Sequence, residues 1–276
     1  MGVFTKLTDK IFGSAHERRA RKASAQGRNH SSRTQYLLND ETPFEVTEAF
    51  RNLKAALSVS VPKKEGGTAI MVTSAYPQDG KTTITANLAL MFAISDAKVV
   101  LVDADIRKGR VAKYFKCKST PGLSDYLSGQ NTLDEVIHQT DVDKNLSFIS
   151  CGTHSPHPYE LLESDEMKDL LKELRARYDY VIIDTPPVLL LSDALALAPV
   201  TDGATIVCRH NVSYINDIER AIKTLTFAKA NVLGVIVNDY KAEKSRTFYG
   251  KYNKYYYYSS YAYKPNNTSD EDGKQE

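Results

Sequence analysis

The sequence has few cysteines and no long apolar run, and these absences narrow the class of protein it can encode. Cys117, Cys151 and Cys208 lie far apart and form no C-x-x-C pair, so neither a disulfide framework nor a zinc or iron–sulfur site is indicated. No apolar stretch approaches the ~20 residues of a membrane-spanning helix, and the N-terminus lacks the apolar core of a signal peptide. We therefore expect a protein that is made and kept in the cytoplasm.

Charge is unevenly distributed along the 276 residues, although the net charge is only +2. Residues 1–33 carry eight Lys and Arg against Asp9 and Glu17, a local charge of +6. This basic arm could contact an anionic membrane surface or an acidic partner, or it could be a solvated arm without a binding role. Nucleic acid is a less favoured partner, because no aromatic residues alternate with the basic ones.

Apolar strand-like runs alternate with helix-like segments between residues 42 and 240. Thr42, Pro43 and Glu45 match the N-cap, first-turn and N3 positions of a capping box that opens the first helix. Alternation of buried strands and helices predicts an α/β fold with a mostly parallel sheet flanked by helices. Strands are predicted at 68–74, 98–105, 146–151, 180–184, 204–209 and 232–238, and helices at 42–60, 81–95, 122–127, 132–139, 158–178, 192–197 and 214–230.

The strongest motif follows the first strand. Residues 75–83 read AYPQDGKTT and open a helix, which is a phosphate-loop pattern with alanine in place of the first glycine. The backbone N–H groups of such a turn point at one spot, where a polyphosphate can bind. Within the loop Lys81 can reach the β- and γ-phosphates, and the Thr82 hydroxyl can bind Mg²⁺. The predicted nucleotide-binding residues are Asp79, Gly80, Lys81, Thr82 and Thr83.

Carboxylates end two further apolar strands. Asp103 and Asp105 follow the run VVLV, and Asp184 follows VII. Ligands of open α/β sheets bind beyond the carboxyl ends of the strands, so the three acids are expected to converge on the phosphate loop. Mg²⁺ usually takes only one or two carboxylates, which leaves one acid for proton acceptance or water positioning. Any one of them could instead cap the helix that follows its strand.

The C-terminal segment is rich in tyrosine and has no aliphatic residue larger than alanine between residues 249 and 263. Such a segment cannot bury a face, so we expect a disordered tail, 241–276, after a phosphate-loop domain at 42–240 and a basic, flexible arm at 1–41. One interpretation is a low-complexity tail without chemistry; the other is a set of phosphate acceptors. The candidate acceptors are Tyr249, Tyr252, Tyr255, Tyr256, Tyr257, Tyr258, Tyr261 and Tyr263.

Together these motifs resemble the bacterial tyrosine kinases (BY-kinases) of capsular and exopolysaccharide operons, and in particular the separate cytoplasmic kinase of Gram-positive bacteria. The resemblance covers residues 42 to 263. Besides the loop, the acids and the tail, it rests on GLSDYL at 122–127 and PYELL at 158–162. It implies a phosphate-loop NTPase fold of the deviant Walker, partitioning-ATPase-like type, and a non-specific protein-tyrosine kinase that uses ATP and Mg²⁺.

The resemblance also implies a role for each matching residue. Lys81 would act in catalysis and, with Thr82, bind ATP and Mg²⁺; Asp105 and Asp184 would hold the metal, largely through water; Asp103 would accept the proton of the attacking tyrosine. Two positions depart from the family pattern. Gln78 stands where the family usually has glycine, and the oligomerisation motif Glu-x-x-Arg-x-x-Arg is matched by Glu48, Arg51 and Lys54, with Lys in the third place.

The same resemblance implies partners and a place in the cell. The family works as a homo-oligomeric ring with a membrane adaptor of the polysaccharide co-polymerase type, which activates the kinase, and with a cognate phosphotyrosine phosphatase. The kinase would then lie at the inner face of the membrane through its adaptor. Two alternatives share the fold: a partitioning-type ATPase switch, whose signature lysine is replaced here by Tyr76, and a non-catalytic ATP-bound scaffold.

Overall fold

The computed structural model describes residues 33–61 and 66–240 of the chain. A short 3₁₀ turn at Thr34–Tyr36 comes first, and a second lies at Ala198–Val200. The α-helices are α1 (Phe44–Ser60), α2 (Lys81–Ile94), α3 (Val111–Tyr114), α4 (Leu123–Leu127), α5 (Leu133–Val136), α6 (Pro158–Glu163), α7 (Asp165–Arg177), α8 (Asp193–Leu197) and α9 (Ile215–Phe227). The strands are β1 (Thr68–Ser74), β2 (Val99–Asp103), β3 (Ile137–Gln139), β4 (Leu146–Ile149), β5 (Tyr180–Asp184), β6 (Gly203–Arg209) and β7 (Val232–Asn238).

All seven strands form one sheet in the order β3-β4-β2-β5-β1-β6-β7. Every neighbouring pair is parallel except β3 with β4. The predicted mostly parallel sheet is thereby confirmed. The antiparallel edge strand β3 was missed, because its three residues were assigned to the end of a helix predicted at 132–139.

Side chains of the central strands alternate between two hydrophobic clusters, one on each face of the sheet. Ile70 and Val72 of β1 belong to the cluster under α1 and α2, whereas Ala69 and Met71 belong to the cluster under α7, α8 and α9. Strands buried on both faces carry no polar alternation, which explains the continuous apolar runs in the sequence. Within the described part of the chain no helix is long and apolar enough to cross a membrane.

The packed chain begins earlier than residue 42, the predicted start of the domain. Leu37 is 4% exposed and belongs to the cluster under α1 and α2. The predicted capping box is wrong: the N-cap of α1 is Pro43, without a side-chain cap. The Thr42 hydroxyl instead accepts a hydrogen bond from the backbone N–H of Asn39 at 2.9 Å. The Thr42 side chain therefore belongs to a local turn, whereas the capping-box motif predicted that it would cap α1.

The long helix predicted at 158–178 is two helices. Ser164 lies between α6 and α7 with an extended backbone, and its hydroxyl accepts a hydrogen bond from Met167 N at 3.2 Å. This N-cap starts α7 as a separate helix. Helix α3 was not predicted at all. Residues 1–32, 62–65 and 241–276 lie outside the described residues.

Candidate active site at the carboxyl edge of the sheet

Asp103 and Asp184 end two neighbouring strands and lie side by side. They are Cα partners in the register of β2 and β5, and each is 1% exposed. Both acids are buried because each one ends a strand of buried apolar residues. Strand β5 also pairs with β1, which leads into the phosphate loop. Two buried carboxylates therefore lie directly beside that loop.

The phosphate loop passes through two residues with left-handed backbone on its way to α2. Gln78 has φ +75°, and Gly80, the N-cap of α2, has φ +93°. No side chain caps α2, so its first backbone N–H groups remain available to an anion. A Cβ atom added at Gly80 would lie 2.1 Å from Nδ2 of Asn238. The loop thus has the donor set of a phosphate cradle, and its tightest point accepts only glycine.

Lys81 and Thr82, the first two residues of α2, both contact the strand-end acids. The Lys81 ammonium lies 3.4 Å from Oδ2 of Asp105 and 3.4 Å from Oδ2 of Asp184. The Thr82 hydroxyl donates to Oδ2 of Asp184 at 2.7 Å. Asp184 therefore joins the phosphate loop to the carboxyl edge of the sheet. The residues predicted to serve nucleotide and metal meet at one place.

Asp103 is held by backbone groups of the segment that follows it. Its Oδ2 accepts a hydrogen bond from Val111 N at 2.9 Å, and its Oδ1 accepts one from Asp105 N at 3.3 Å. Burial raises the pKa of Asp103 to about 8, and the nearby carboxylates of Asp184 and Asp105 add to the rise. Proton binding to this carboxyl is therefore far stronger than to an ordinary aspartate.

Lys81 and Asp184 show the same crowding of charge. Burial by itself would lower the pKa of Lys81, but the carboxylates of Asp184, Asp105 and Asp103 outweigh burial and raise that pKa above its ordinary value. Burial also raises the pKa of Asp184, against the opposing effects of Lys81 and Thr82. One cation thus faces three acids, and this excess of negative charge suits the binding of a further cation.

The metal-site prediction named Thr82, Asp105 and Asp184. Within residues 33–61 and 66–240 no group of three or more His, Cys, Asp or Glu side chains has a geometry that could hold a metal by itself. Two carboxylates and a hydroxyl nevertheless suit Mg²⁺, which keeps several waters and completes its shell with phosphate oxygens. The donor set fits an ion that arrives with a nucleotide rather than a dedicated protein cage.

Asp79 is anchored to the segment after β6 and to the end of β7, by residues that the sequence analysis did not identify. Its Oδ1 accepts a hydrogen bond from the Ser213 hydroxyl at 2.8 Å, and its backbone carbonyl accepts one from Nδ2 of Asn238 at 2.9 Å. Both partners lie more than a hundred residues further along the chain, so no local pattern linked them to the loop. The carboxylate of Asp79 thus holds the loop in place.

Arg107 and Asp193 form another contact that the sequence did not reveal. The Arg107 guanidinium donates to both carboxylate oxygens of Asp193, at 2.8 and 3.2 Å. Asp193 is fully buried at the start of α8, and this hydrogen bonding raises the pKa of Arg107. The pair ties the segment after β2 to the segment after β5, which are the segments that follow two of the acid-bearing strands.

The predicted oligomerisation residues Glu48, Arg51 and Lys54 lie on α1. Arg51 and Glu48 form an ion pair with each other, and the side chain of Arg51 is 60% exposed. Lys54 follows on the same helix and is half-buried. Their part in assembly stays a prediction.

The predicted phosphoacceptor tyrosines, from Tyr249 to Tyr263, lie outside the described residues. The strand that precedes them can be placed. β7 runs parallel to β6, as expected, and ends at Asn238, whose side chain contacts the phosphate loop. The last strand therefore points its carboxyl end to the edge that holds Lys81 and the acids.

A family model described as an AAA domain matches residues 69–233. The chain is 39% identical over 183 residues to the tyrosine-protein kinase YwqD of Bacillus subtilis, covering 66% of this chain and 76% of that protein. It is 37% identical over 232 residues to a putative tyrosine-protein kinase, EpsB, of Ralstonia nicotianae, covering 84% of this chain and 31% of EpsB. The chain thus spans less than a third of the length of that relative.

Solved structures show the same relation. The kinase domain of the Escherichia coli tyrosine kinase ETK superposes with a TM-score of 0.69 at 32% identity, over 75% of this chain and 84% of that one. The septum site-determining protein MinD from Pyrococcus horikoshii, solved with Mg-ADP, superposes with a TM-score of 0.55 at 25% identity, over 64% of this chain and 72% of that one. The fold is therefore that of phosphate-loop ATPases of the MinD type, and by sequence and structure the chain belongs to the bacterial tyrosine-protein kinase family.

Proposed function

We propose that this protein is an ATP-dependent protein-tyrosine kinase that phosphorylates its own C-terminal tyrosine cluster in trans, within an oligomer, and so regulates capsular or exopolysaccharide synthesis and export. One observation carries the proposal: Lys81 and Thr82 of the phosphate loop both contact Asp184, and Asp103 lies beside Asp184 in the sheet. Groups that bind phosphate, hold a cation and accept a proton are thereby within reach of one another.

The phosphate loop and its acids would bind ATP with Mg²⁺, which supplies the phosphoryl group and neutralises its charge. The backbone N–H groups after Gly80 and the Lys81 ammonium would hold the phosphate oxygens. Thr82, Asp105 and Asp184 would hold the metal, mostly through water. Lys81 already lies among the carboxylates, so its charge is positioned before any ligand binds. This is the preorganisation that phosphoryl transfer requires.

Asp103 would accept the proton of the attacking tyrosine. As the phenol oxygen bonds to the γ-phosphorus, the bond from that phosphorus to the β,γ-bridging oxygen breaks, ADP leaves, and the phenol proton passes to the Asp103 carboxylate. Burial and the neighbouring acids raise the pKa of Asp103 to about 8; a cation bound beside Asp105 and Asp184 would lower that pKa, so that the carboxylate is ionised and can accept the proton. Phosphoryl transfer asks little of its base, so positioning by Asp103 matters as much as its basicity.

The tyrosine cluster has the length to reach a neighbouring subunit. Seventeen residues from Lys241 to Tyr257 span ~20–25 Å as a coil and ~55 Å when extended. Because β7 delivers the chain to the nucleotide edge, transfer between adjacent copies is the geometry we expect. Labelling of a dilute monomer at a rate independent of protein concentration would contradict transfer in trans.

Charge would make the reaction self-limiting. Residues 241–264 hold six Lys and Arg and one Glu, a net charge of +5, which suits docking beside the acids and ATP. Each phosphotyrosine adds about −1.5 to −2, so three or four reverse the sign. We expect phosphorylation to release the segment and loosen the oligomer; an unchanged oligomer mass after full phosphorylation would contradict this.

The partners and the location follow from the same proposal. A membrane adaptor of the polysaccharide co-polymerase type would activate the kinase and hold it at the inner face of the membrane, and a phosphotyrosine phosphatase would reset it. Glu48, Arg51 and Lys54 would contribute to the subunit contact. Because Lys lacks the forked geometry of Arg, the contact made by Lys54 would be weaker than in relatives with arginine.

A single labelling experiment separates the proposal from its two alternatives. Purified full-length protein is incubated with ATP labelled at the γ-phosphate, and both protein label and free phosphate are counted. A kinase labels its tyrosine cluster, an ATPase switch releases free phosphate only, and a scaffold does neither. Tyr76, where that ATPase class carries its signature lysine, favours the first result. A variant with all eight cluster tyrosines changed to Phe is the matched control.

A further inference from the structure

Tyr114 is a fully buried tyrosine whose hydroxyl contacts the phosphate loop. Its side chain is 0% exposed, and its phenol oxygen lies 2.6 Å from Oγ1 of Thr83. Thr83 follows Lys81 and Thr82 at the start of α2 and is half-buried. A hydroxyl buried this deeply needs a partner, and the partner here is a residue of the nucleotide site.

The chemistry of the two hydroxyls sets the direction of their hydrogen bond. A phenol is a far stronger acid than an aliphatic alcohol, so Tyr114 is the better donor and Thr83 the better acceptor. The proton of Thr83 then stays free, and among the described residues its hydroxyl has no second partner. A free O–H at the N-terminus of α2, next to Lys81, is a donor for a phosphate oxygen.

Tyr114 is itself held by the segment Arg33–Leu38, which we call the N-terminal strap. The Thr34 hydroxyl donates to the backbone carbonyl of Tyr114 at 3.0 Å. The backbone N–H of Arg33 donates to the carbonyl of Lys113, also at 3.0 Å. The strap therefore binds the backbone carbonyls before and after the Cα atom of Tyr114.

The other end of the strap is bound to α2, the helix that carries Thr83. Asn87 is 2% exposed; its Nδ2 donates to the carbonyl of Tyr36 at 2.8 Å, and its Oδ1 accepts from Leu38 N at 2.7 Å. The same Nδ2 donates to the carbonyl of Thr83 at 3.0 Å. The strap, α3 and the start of α2 are thus joined by side chains that meet at Thr83.

We propose that Tyr114 is a positioning residue for nucleotide binding. Its phenol fixes the Thr83 hydroxyl with the proton directed to the phosphates, and the N-terminal strap keeps Tyr114 in that place. The inference rests on the proposed function only in that the loop binds a nucleotide; it requires no kinase chemistry. If Tyr114 served only to fill the core, Phe would replace it without effect on nucleotide affinity.

The test is the affinity of the full-length protein for ADP, measured by titration calorimetry with and without Mg²⁺. Tyr114→Phe removes one oxygen and keeps the ring. We expect the dissociation constant to rise about three- to tenfold, the loss typical of one hydrogen bond. Tyr36→Phe is the matched control, since it removes a phenol of the strap that is half in water, and it should bind ADP like the wild type.

A double-mutant cycle with Thr83→Val shows whether the two hydroxyls act together. Thr83→Val should weaken binding by itself, and adding Tyr114→Phe should weaken it no further. Additive losses would overturn the inference, because Tyr114 would then act without Thr83. Unchanged affinity in Tyr114→Phe would overturn it as well, even if the melting temperature fell, since that pattern marks a purely structural role.

The strap is tested with Thr34→Val, which removes the hydrogen bond to the Tyr114 backbone. We expect a smaller rise in the dissociation constant, about twofold to threefold, that disappears in the Tyr114→Phe background. Persistence of the rise in that background would contradict the link between strap and phenol. If the wild type binds ADP but never labels tyrosine, the kinase proposal fails and the inference about Tyr114 stands. If the wild type labels tyrosine and Tyr114→Phe binds ADP as tightly as the wild type, the kinase proposal stands and the inference about Tyr114 fails.

Discussion

Two buried groups of charge lie at opposite ends of the same sheet, and they are built differently. At the amino end, Asp202 in the turn before β6 accepts hydrogen bonds from Ala69 N at 2.8 Å and from the Arg175 guanidinium at 2.9 Å. One carboxylate there faces one cation and a backbone donor. At the carboxyl end, one ammonium faces three carboxylates. The first arrangement is balanced within the protein, and the second is not.

The difference indicates what each group is for. A balanced buried pair fixes the positions of the elements it joins, here α7, β1 and the turn before β6. An unbalanced group holds free energy that a ligand can release: a cation beside Asp105 and Asp184 would relieve repulsion that otherwise raises the pKa of Asp103. The pair at the amino end of the sheet thus stabilises the fold, and the group at the carboxyl end is suited to binding a ligand.

Removing the cation from the unbalanced end should have the largest effect. Lys81→Met is expected to lower the rate of tyrosine labelling about 1000-fold, because the variant lacks the preorganised positive charge that would stabilise the transferred phosphoryl group. Its unfolding free energy at pH 7 should also fall by about 3 kcal/mol, since buried acids lose their cation. Labelling rates and urea unfolding measure the two effects. Lys172→Met, at an exposed site on α7, should change neither; a fully active Lys81→Met would remove Lys81 from the mechanism.

Breaking the balanced end should affect stability alone. Arg175→Met deprives Asp202 of its guanidinium and is expected to cost about 3 kcal/mol of unfolding free energy, with an unchanged labelling rate per folded molecule. Arg177→Met is the comparison on the same helix, because Arg177 pairs with Glu173 and Asp134 at the surface; it should cost less than about 1 kcal/mol. Equal costs for the two variants would show that the amino-end pair adds no more than a surface pair.

Removing one acid from the unbalanced end should trade activity for stability. The folded-state pKa of Asp103, about 8, lies above its unfolded value of about 3.8. The native state therefore binds the extra proton between those limits, and this contribution to stability is lost as the pH rises toward 8. The Asp103→Asn variant should label tyrosine poorly, and its free energy of unfolding at pH 8 should be about 1–2 kcal/mol higher than that of the wild type. The gain should shrink as the pH falls toward 4; a constant difference across that range would contradict a raised pKa.

The smallest expected effect concerns the backbone of the phosphate loop. Gln78 holds φ +75°, a conformation that costs a side-chain residue about 1–2 kcal/mol. Gln78→Gly removes that strain but makes the unfolded chain more flexible, so we expect a net gain of about 0.5 kcal/mol. Asp96→Gly, at φ +63° in the turn after α2, makes the same change away from the site. Only Gln78→Gly should alter the affinity for ADP.

Much of the carboxyl edge was predictable, because its parts are local in sequence. Each partner of the Lys81–Asp184 contact belongs to a recognisable local pattern: a Gly-Lys-Thr that opens a helix, and an apolar run that ends in an acid. Parallel strands bring these two patterns to the same edge of the sheet. Contacts made through packing left no such trace. Tyr114 lies on a single helical turn that has no periodicity, and Asn238 meets Asp79 across 159 positions of sequence.

The wrong predictions also have physical reasons. Thr42 and Ser164 are both residues that cap helices, and the sequence favoured a cap at the first and a continuous helix through the second. The structure has the reverse, because Asn39 provides a local partner for Thr42 whereas Ser164 captures Met167 N. Choices between competing short-range hydrogen bonds depend on how the chain packs, which the local pattern does not contain.

The described part of the chain begins at the strap and ends just past β7, and side chains link both of these ends to the phosphate loop. The strap meets it through Tyr114 and Asn87 at Thr83, and β7 meets it through Asn238 at Asp79. A displacement at either end of the described chain would therefore reach the phosphate-binding residues through a small number of side-chain hydrogen bonds.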